Sequence, residues 1–299
     1  MAVDHNPPQS PVISINVNGD ARAYPLEVLT RHEIVNDVVG GMPVAVTFCP
    51  LCNSSIVYER TVDDNVLRFG VSGNLMNSDL IMWDDLTESW WQQLTGQGIV
   101  GAYNDYQLEV VPSQVISYGV FKDHYPDGTV LRGPSGKYGR NPYVGYDSSP
   151  NPFLFRGEID SRLFAMERIL AFKVDGIQIA YPFSTLQTEH IINDRVKATE
   201  LVVFWQEGAA SALDASDIDS SKDVGMAVMY HRVLVSGEAL TFRYVDGVFR
   251  DNETDSTWNI FGEAITGDLE GSVLTQLNAF PHFWFAWAAF YPETTIYKS

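Results

Sequence analysis

The sequence predicts a β-rich α+β protein in which one mixed α/β unit occurs twice and packs as a pseudo-symmetric pair. The first observation is a repeat: the run 17–37 reappears at 174–194, with Ala-Tyr-Pro and Asn-Asp at the same places in both copies. The second is that each copy continues into short runs dense in valine and aromatic residues, which are typical of buried strands. Such a match between unrelated stretches is rare, so we interpret the chain as a tandem duplication.

Each copy can be assigned the same elements in the same order. A short strand and a turn come first, and Ala-Tyr-Pro then leads into a stretch with apolar residues at helical spacing. A buried strand and further hairpin strands follow. The predicted first elements are strands at 13–19 and 171–176, helices at 26–35 and 183–192, and buried strands at 43–48 and 200–205.

The repeat also sets the predicted domain boundaries. A region rich in proline and turn residues separates the copies, and the second copy carries an insertion of Asp and Ser that we expect to be an exposed loop. The predicted units are a disordered tail at 1–12, the first repeat at 13–131, a bridge at 132–170, the second, degenerate repeat at 171–299 and the acidic insertion at 212–224.

Composition excludes two classes of function. The 299 residues include 19 Lys and Arg against 38 Asp and Glu, so a net charge of −19 argues against nucleic acid as a partner. No apolar run is long enough to predict a membrane span. The polar, proline-rich N-terminal residues resemble what remains of a longer leader. We therefore expect an export signal or an anchor upstream of them.

The two cysteines form the sharpest local motif, Cys49-Pro50-Leu51-Cys52. The residues on both sides of this motif read as strands, and a tight turn between strands that carries two thiols is typical of a metal-binding knuckle. Two cysteines supply half of a tetrahedral site, and His32 is our first candidate for a further ligand. Thiolates with imidazole favour copper or zinc.

The second copy has Trp205-Gln206-Glu207-Gly208-Ala209 where the first has its cysteines, so any chemistry is asymmetric. His190, His231 and Asp37 are candidates for a second site. We expect the metal to lie in a groove between the repeats, where redox or Lewis-acid chemistry on a small molecule could take place.

Two alternatives stay open at this stage, and whether the protein is an enzyme stays open with them. Cys49 and Cys52 could be the nucleophilic and resolving thiols of a thiol-disulfide oxidoreductase, which predicts a lowered thiol pKa. The chain could instead be a non-enzymatic surface binding or assembly module. A nucleophile elbow and a phosphate-binding loop are both missing from the sequence.

An ordered set of motifs resembles a known family. The motifs are Ala-Tyr-Pro, His-Glu-Ile-Val-Asn-Asp, Thr-Phe-Cys-Pro-Leu-Cys-Asn, Val-Ser-Gly-Asn-Leu-Met-Asn-Ser-Asp-Leu, Ser-Trp-Trp-Gln-Gln, Asn-Pro-Tyr and the closing Trp-Phe-Ala-Trp. Together they are similar to the bacterial and archaeal proteins grouped as domain of unknown function 3179. The resemblance implies an extracytoplasmic location, secreted or at the cell surface, and a site at Cys49 and Cys52. Asn53 stands where the family pattern has glycine, and asparagine also tolerates the left-handed backbone of a turn.

Overall fold

A computed structural model describes residues 6–133 and 139–299 of the chain. Strands far outnumber helices among these residues, and the four helices have seven residues each, which confirms the β-rich α+β class. Residues 1–5 of the predicted tail and 134–138 of the predicted bridge lie outside the described residues.

The elements of the first half follow the valine-rich and aromatic runs closely. They are β1 Pro11–Val17, β2 Asp20–Pro25, α1 Leu26–His32, β3 Ile34–Val39, β4 Met42–Cys49, β5 Ser54–Glu59, β6 Thr61–Val62, β7 Asn65–Val66, β8 Phe69–Met76, β9 Asp79–Asp84, β10 Trp90–Gln92, β11 Gly98–Val100, β12 Val110–Val111, β13 Gln114–Ser117, α2 Tyr118–His124 and β14 Thr129–Val130.

The described strands and helices of the second half follow the same order, except that β6 and β7 have no counterpart there. They are β15 Arg168–Val174, β16 Ile177–Pro182, α3 Phe183–Glu189, β17 Ile191–Val196, β18 Thr199–Gln206, β19 Met226–His231, β20 Phe242–Val245, β21 Val248–Asp251, β22 Thr257–Trp258, β23 Ala264–Thr266, β24 Thr275–Gln276, β25 Ala279–Phe283, α4 Trp284–Phe290 and β26 Thr295–Ile296. Short 3₁₀ helices lie at Tyr146–Ser148 and Ile218–Ser220.

Six four-stranded sheets carry most of these strands. The first half has the orders β13-β1-β2-β14, β12-β5-β4-β3 and β11-β10-β9-β8, and the second has β25-β15-β16-β26, β17-β18-β19-β24 and β20-β21-β22-β23. Neighbours are antiparallel except β14 with β2 and β16 with β26, which are parallel. In each half, the helix that follows Ala-Tyr-Pro joins one sheet to the next.

Both of these helices are shorter than predicted. The last hydrogen bond of each helix runs from the N–H of Glu33 or His190 to the carbonyl of the leucine four residues earlier. Both residues have a φ of 59°, and this left-handed backbone ends the helix. The β-branched residues that follow favour a strand, so Ile34 and Ile191 begin strands instead of closing a helical face. The predicted helical ends at 35 and 192 are therefore wrong.

Two further expectations need correction. Pro11 and Val12, placed in the predicted disordered tail, begin β1, and Val12 is fully buried. The acidic insertion is not simply an exposed loop, because Leu213 and Ile218 are buried. The bridge packs on this insertion: the Asn141 side chain donates to the Ala212 carbonyl at 2.9 Å.

The two halves share a core. One cluster of buried apolar residues includes Phe48 and both cysteines of the first half together with the run 283–288 of the second half. Across the same boundary, the Phe283 backbone N–H donates to the Cys52 carbonyl at 2.8 Å. The closing aromatic run is thus part of the core. Among the residues that the structure describes, every helix is too short to cross a bilayer.

Candidate metal centre

The cysteine pair lies on a tight bend between two antiparallel strands. Cys49 ends β4 and pairs with Ser54, the first residue of β5. The Cys52 N–H donates to the Cys49 carbonyl at 3.2 Å, and Asn53 adopts the left-handed φ of 48° that such a bend requires. The predicted strand, bend and strand are confirmed, and both thiols are free.

A second hairpin brings a carboxylate to the cysteines. β8 and β9 are joined by Asn77 and Ser78, both with positive φ, which is the two-residue turn that fits the twist of a hairpin. Asp79 follows this turn directly, and the Ser78 carbonyl lies 3.8 Å from the Cys49 Sγ. As a result, ligand atoms of Cys49, Cys52 and Asp79 all lie within 4.8 Å of one another.

The carboxylate of Asp79 is held by one oxygen only. Oδ2 accepts a hydrogen bond from the Leu94 backbone N–H at 3.0 Å and a short one from the Gln92 side-chain amide. Gln92 is itself fixed, because its Oε1 accepts from the Thr95 N–H at 2.6 Å. The other oxygen, Oδ1, is buried and accepts no hydrogen bond of normal geometry, although the thiols of Cys49 and Cys52 lie close enough to act as weak donors to the carboxylate. A buried carboxylate oxygen without a partner is costly unless something else binds it.

Burial dominates the electrostatics of the cluster. Cys49 is 2 % exposed, and Cys52 and Asp79 are fully buried. Desolvation raises the pKa of both thiols, and it raises the pKa of Asp79 to about 7 although the nearby thiols and Leu94 act in the opposite direction. A thiol-disulfide oxidoreductase was expected to show a lowered thiol pKa. Burial favours the thiol form here, which is the opposite of the shift that this alternative predicts.

The bridge between the halves covers the cysteine bend. The Tyr146 hydroxyl donates to the Leu51 carbonyl at 3.0 Å, and the Ser78 hydroxyl donates to the Phe153 carbonyl at 3.1 Å. The bridge is in turn tied to the second half by Asp147, which is fully buried and paired with Arg168 at 2.8 Å and Lys222 at 2.9 Å. The cover over the site in the first half is therefore anchored in the second half.

His32 does not join the cluster. It is exposed at the last position of α1, and the group of ligand-type side chains found among the described residues contains no histidine. His32 precedes the cysteines in the sequence, but its side chain does not join them in the structure. Because the helix ends at His32, the strand after it carries the backbone to the cysteine sheet while the His32 side chain stays at the surface.

The candidates for a second site lie apart from one another. His190 stacks on Tyr244 at 4.2 Å, and the His231 Nδ1 accepts the Val233 N–H at 3.2 Å. Asp37 accepts from Arg22 and from Tyr24, each at 2.8 Å. In the described parts of the chain, no second cluster of three ligand-type side chains occurs.

Asp79 and Gln92 were missed as site residues, although both lie within the motifs quoted above. The useful signal is a difference between the two halves of the chain. In the second half the corresponding hairpin, β20 and β21, is shorter and turns through Asp246 and Gly247. The longer β8–β9 hairpin is what extends the chain to the cysteine bend in the first half.

Comparison with known proteins supports the family resemblance. The model of the family described as "Protein of unknown function (DUF3179)" matches residues 2–294. No curated protein and no solved structure matches the chain. The match covers nearly the whole sequence, including the cysteine bend, the β8–β9 hairpin and the bridge, and we conclude that the chain belongs to this family.

Proposed function

We propose that the protein binds a transition metal ion through Cys49, Cys52 and Asp79. The observation that supports this most strongly is the Asp79 Oδ1: a buried carboxylate oxygen that lacks a hydrogen bond and lies beside two free thiols. Gln92 and the Leu94 N–H hold the other oxygen, an arrangement that orients metal-binding carboxylates.

Charge supports the same proposal. Burial raises the pKa of all three groups, and the Asp79 carboxylate further opposes the ionisation of both thiols. A divalent cation reverses this effect because it favours the thiolate and carboxylate forms. The ionised forms of these side chains are unfavourable without a cation, and a bound cation would stabilise them.

The donor set favours zinc over copper. Two thiolates and a carboxylate suit Zn²⁺, whereas copper(I) favours soft ligands throughout. Three protein ligands leave a fourth position for water or a substrate, which is the pattern of catalytic zinc. When bound, zinc in such a site supplies Lewis-acid chemistry on a small molecule. Gln92 and the Leu94 N–H hold the Asp79 carboxylate in place. The bridge, which covers the cysteine bend, limits the access of water.

We further infer that the chain is a tandem duplication whose second copy lost the ligands. The matching sheet orders of the two halves support this, as do paired contacts: Tyr24 donates to Asp37 at 2.8 Å, and Tyr181 donates to Asp194 at 2.9 Å. The second copy then serves the site indirectly, because it anchors the cover and packs β25 against the cysteine bend.

Metal analysis by mass spectrometry tests the proposal. Protein reconstituted with zinc and then desalted is expected to retain stoichiometric zinc, and the Cys49→Ser, Cys52→Ser double variant and Asp79→Asn are expected to lose most of it. Asp84→Asn is the matched control, since Asp84 lies at the other end of β9, is equally buried and has its carboxylate bonded to Thr87 and Trp91.

The control should keep its zinc. Equal and near-zero zinc in the unmodified protein and in the double variant would contradict the proposal. Equal retention in all four proteins would place the zinc elsewhere in the molecule.

A further inference from the structure

Two fully buried polar side chains lie beside the proposed metal ligands, and each has an atom without a hydrogen-bond partner of normal geometry. These atoms are the Ser54 Oγ and the Gln93 Oε1. Buried polar atoms are rarely left unpartnered, because each one costs free energy comparable to a lost hydrogen bond. Neither atom is explained by the contacts that hold the Asp79 carboxylate.

The strand register places the Ser54 side chain on the same face of its sheet as the Cys49 side chain. The two residues are direct partners across β4 and β5. Directly opposed side chains of antiparallel strands project from one face, with their Cβ atoms about 5 Å apart. Thr47 lies two residues before Cys49 on β4, so its side chain is on this face as well. The Ser54 hydroxyl is therefore a neighbour of the Cys49 thiol.

Gln93 reaches this face from the segment that follows β10, between the two residues that bond the Asp79 carboxylate. Its Nε2 donates to the Thr47 Oγ1 at 2.8 Å and to the Ser54 carbonyl at 3.3 Å. The Thr47 hydroxyl itself donates to the Ile56 carbonyl at 2.7 Å, so it can only accept from Gln93. This fixes the orientation of the amide and leaves its Oε1 as an acceptor without a donor.

We propose that Ser54 and Gln93 position the fourth ligand of the metal centre: a water molecule or, in its place, a hydroxyl or amine group of a small-molecule substrate. This role rests on the proposed function, because a fourth ligand presupposes the metal. An amide oxygen only accepts hydrogen bonds, so Gln93 favours a ligand with a hydrogen to donate over an aprotic anion. The Ser54 hydroxyl accepts a second hydrogen bond from the same ligand. In the metal-free protein, the same two atoms hold a buried water molecule.

Azide titrated into the cobalt(II)-reconstituted protein tests this preference, with the visible absorption of cobalt as the readout. Azide can replace a water ligand but has no hydrogen to donate, so the Gln93 Oε1 opposes its binding. Gln93→Met removes the acceptor at similar side-chain length and should bind azide at least about tenfold more tightly than the unmodified protein.

Gln114→Met is the matched control for Gln93→Met. Gln114 also has a buried Oε1 without a partner, but it lies on β13, where its amide donates to the Tyr230 hydroxyl at 3.0 Å. This variant should bind azide as the unmodified protein does. Equal azide affinities of Gln93→Met and Gln114→Met would overturn the proposal.

Ser54→Ala is a smaller change, and it decides the matter if Gln93→Met does not fold. In the metal-free protein, loss of a hydroxyl that holds a water molecule should lower the urea midpoint of unfolding. Removal of a buried hydroxyl that binds nothing would leave the midpoint unchanged or raise it, and this result would overturn the proposal.

The cobalt spectrum before azide is added separates this proposal from the proposed function. Absorption by sulfur-to-cobalt charge transfer is expected if Cys49 and Cys52 hold the ion. Its absence would contradict the proposed function, and the urea midpoint of Ser54→Ala would still decide whether Ser54 holds a water molecule.

Discussion

Asp79 is the residue on which the proposed site depends. It is a buried acid that has only one of its two oxygens hydrogen-bonded, and burial raises its pKa from 3.8 to about 7. Without a cation, the protein therefore folds around a carboxylic acid that prefers to keep its proton near neutral pH. With a cation, the same group becomes a ligand. Asp84, on the same strand, has its oxygens bonded by Thr87 and Trp91 and serves the fold.

This difference predicts a pH dependence of stability in the metal-free protein. Between about pH 4 and 7 the folded protein holds a proton on Asp79 that the unfolded chain has released. The free energy of unfolding should therefore fall as pH rises through this window, by up to about 4 kcal/mol, and then level off.

Urea denaturation of chelator-treated protein at several pH values measures this fall. Asparagine at position 79 carries no charge at any of these pH values. In Asp79→Asn, the part of the fall in unfolding free energy that is due to Asp79 should therefore be missing. If the unmodified protein and Asp79→Asn have parallel pH profiles, the assigned pKa of Asp79 is wrong.

At the scale of elements, two turns form the site and the bridge covers it. The cysteine bend and the β8–β9 turn come from different sheets, and the bridge closes over both through Tyr146 and Phe153. Asp147 fixes the bridge to Arg168 and Lys222. Loss of this anchor should loosen the cover while the bend between β4 and β5 keeps its shape.

Thiol alkylation measures that loosening. In metal-free protein, Asp147→Asn should raise the rate at which iodoacetamide modifies Cys49 and Cys52 by about tenfold or more, since it weakens charged hydrogen bonds that hold the cover. Asp160→Asn is the matched control, because it removes another bridge aspartate that pairs with an arginine, Arg162, at 2.7 Å.

The faster alkylation of Asp147→Asn should be insensitive to low urea, as expected of local opening. A rate that rises steeply with urea would show that the substitution acts through global unfolding. Equal rates in Asp147→Asn and Asp160→Asn would show that Asp147 does not hold the cover.

At the scale of the whole molecule, the sequence predicted what is local and missed what depends on packing. The strands around Cys49 and Cys52 were predictable because valine-rich runs flank a turn that Asn53 can make. The role of Asp79 could not be predicted, because its approach to the cysteines depends on the length of the β8–β9 hairpin and on how two sheets pack. The choice of His32 failed for a different reason: α1 ends at His32 and leaves its side chain at the surface, although β3, which follows, joins the cysteine sheet.

The asymmetry between the halves gives the molecule its organisation. The first half carries the cysteines and the long hairpin, and the second supplies β25 and the anchor of the cover. Neither half has the whole arrangement, so a metal at the bend would depend on how the halves pack. This is why the central claim should be tested in the full chain.

X-ray absorption at the zinc edge of the zinc-reconstituted protein tests that claim most directly. The account predicts a first shell of two sulfur atoms at about 2.3 Å with oxygen at about 2.0 Å, and no sulfur shell around any zinc that the Cys49→Ser, Cys52→Ser double variant retains. A shell of oxygen and nitrogen without sulfur, or one with four sulfur atoms from two chains, would contradict it.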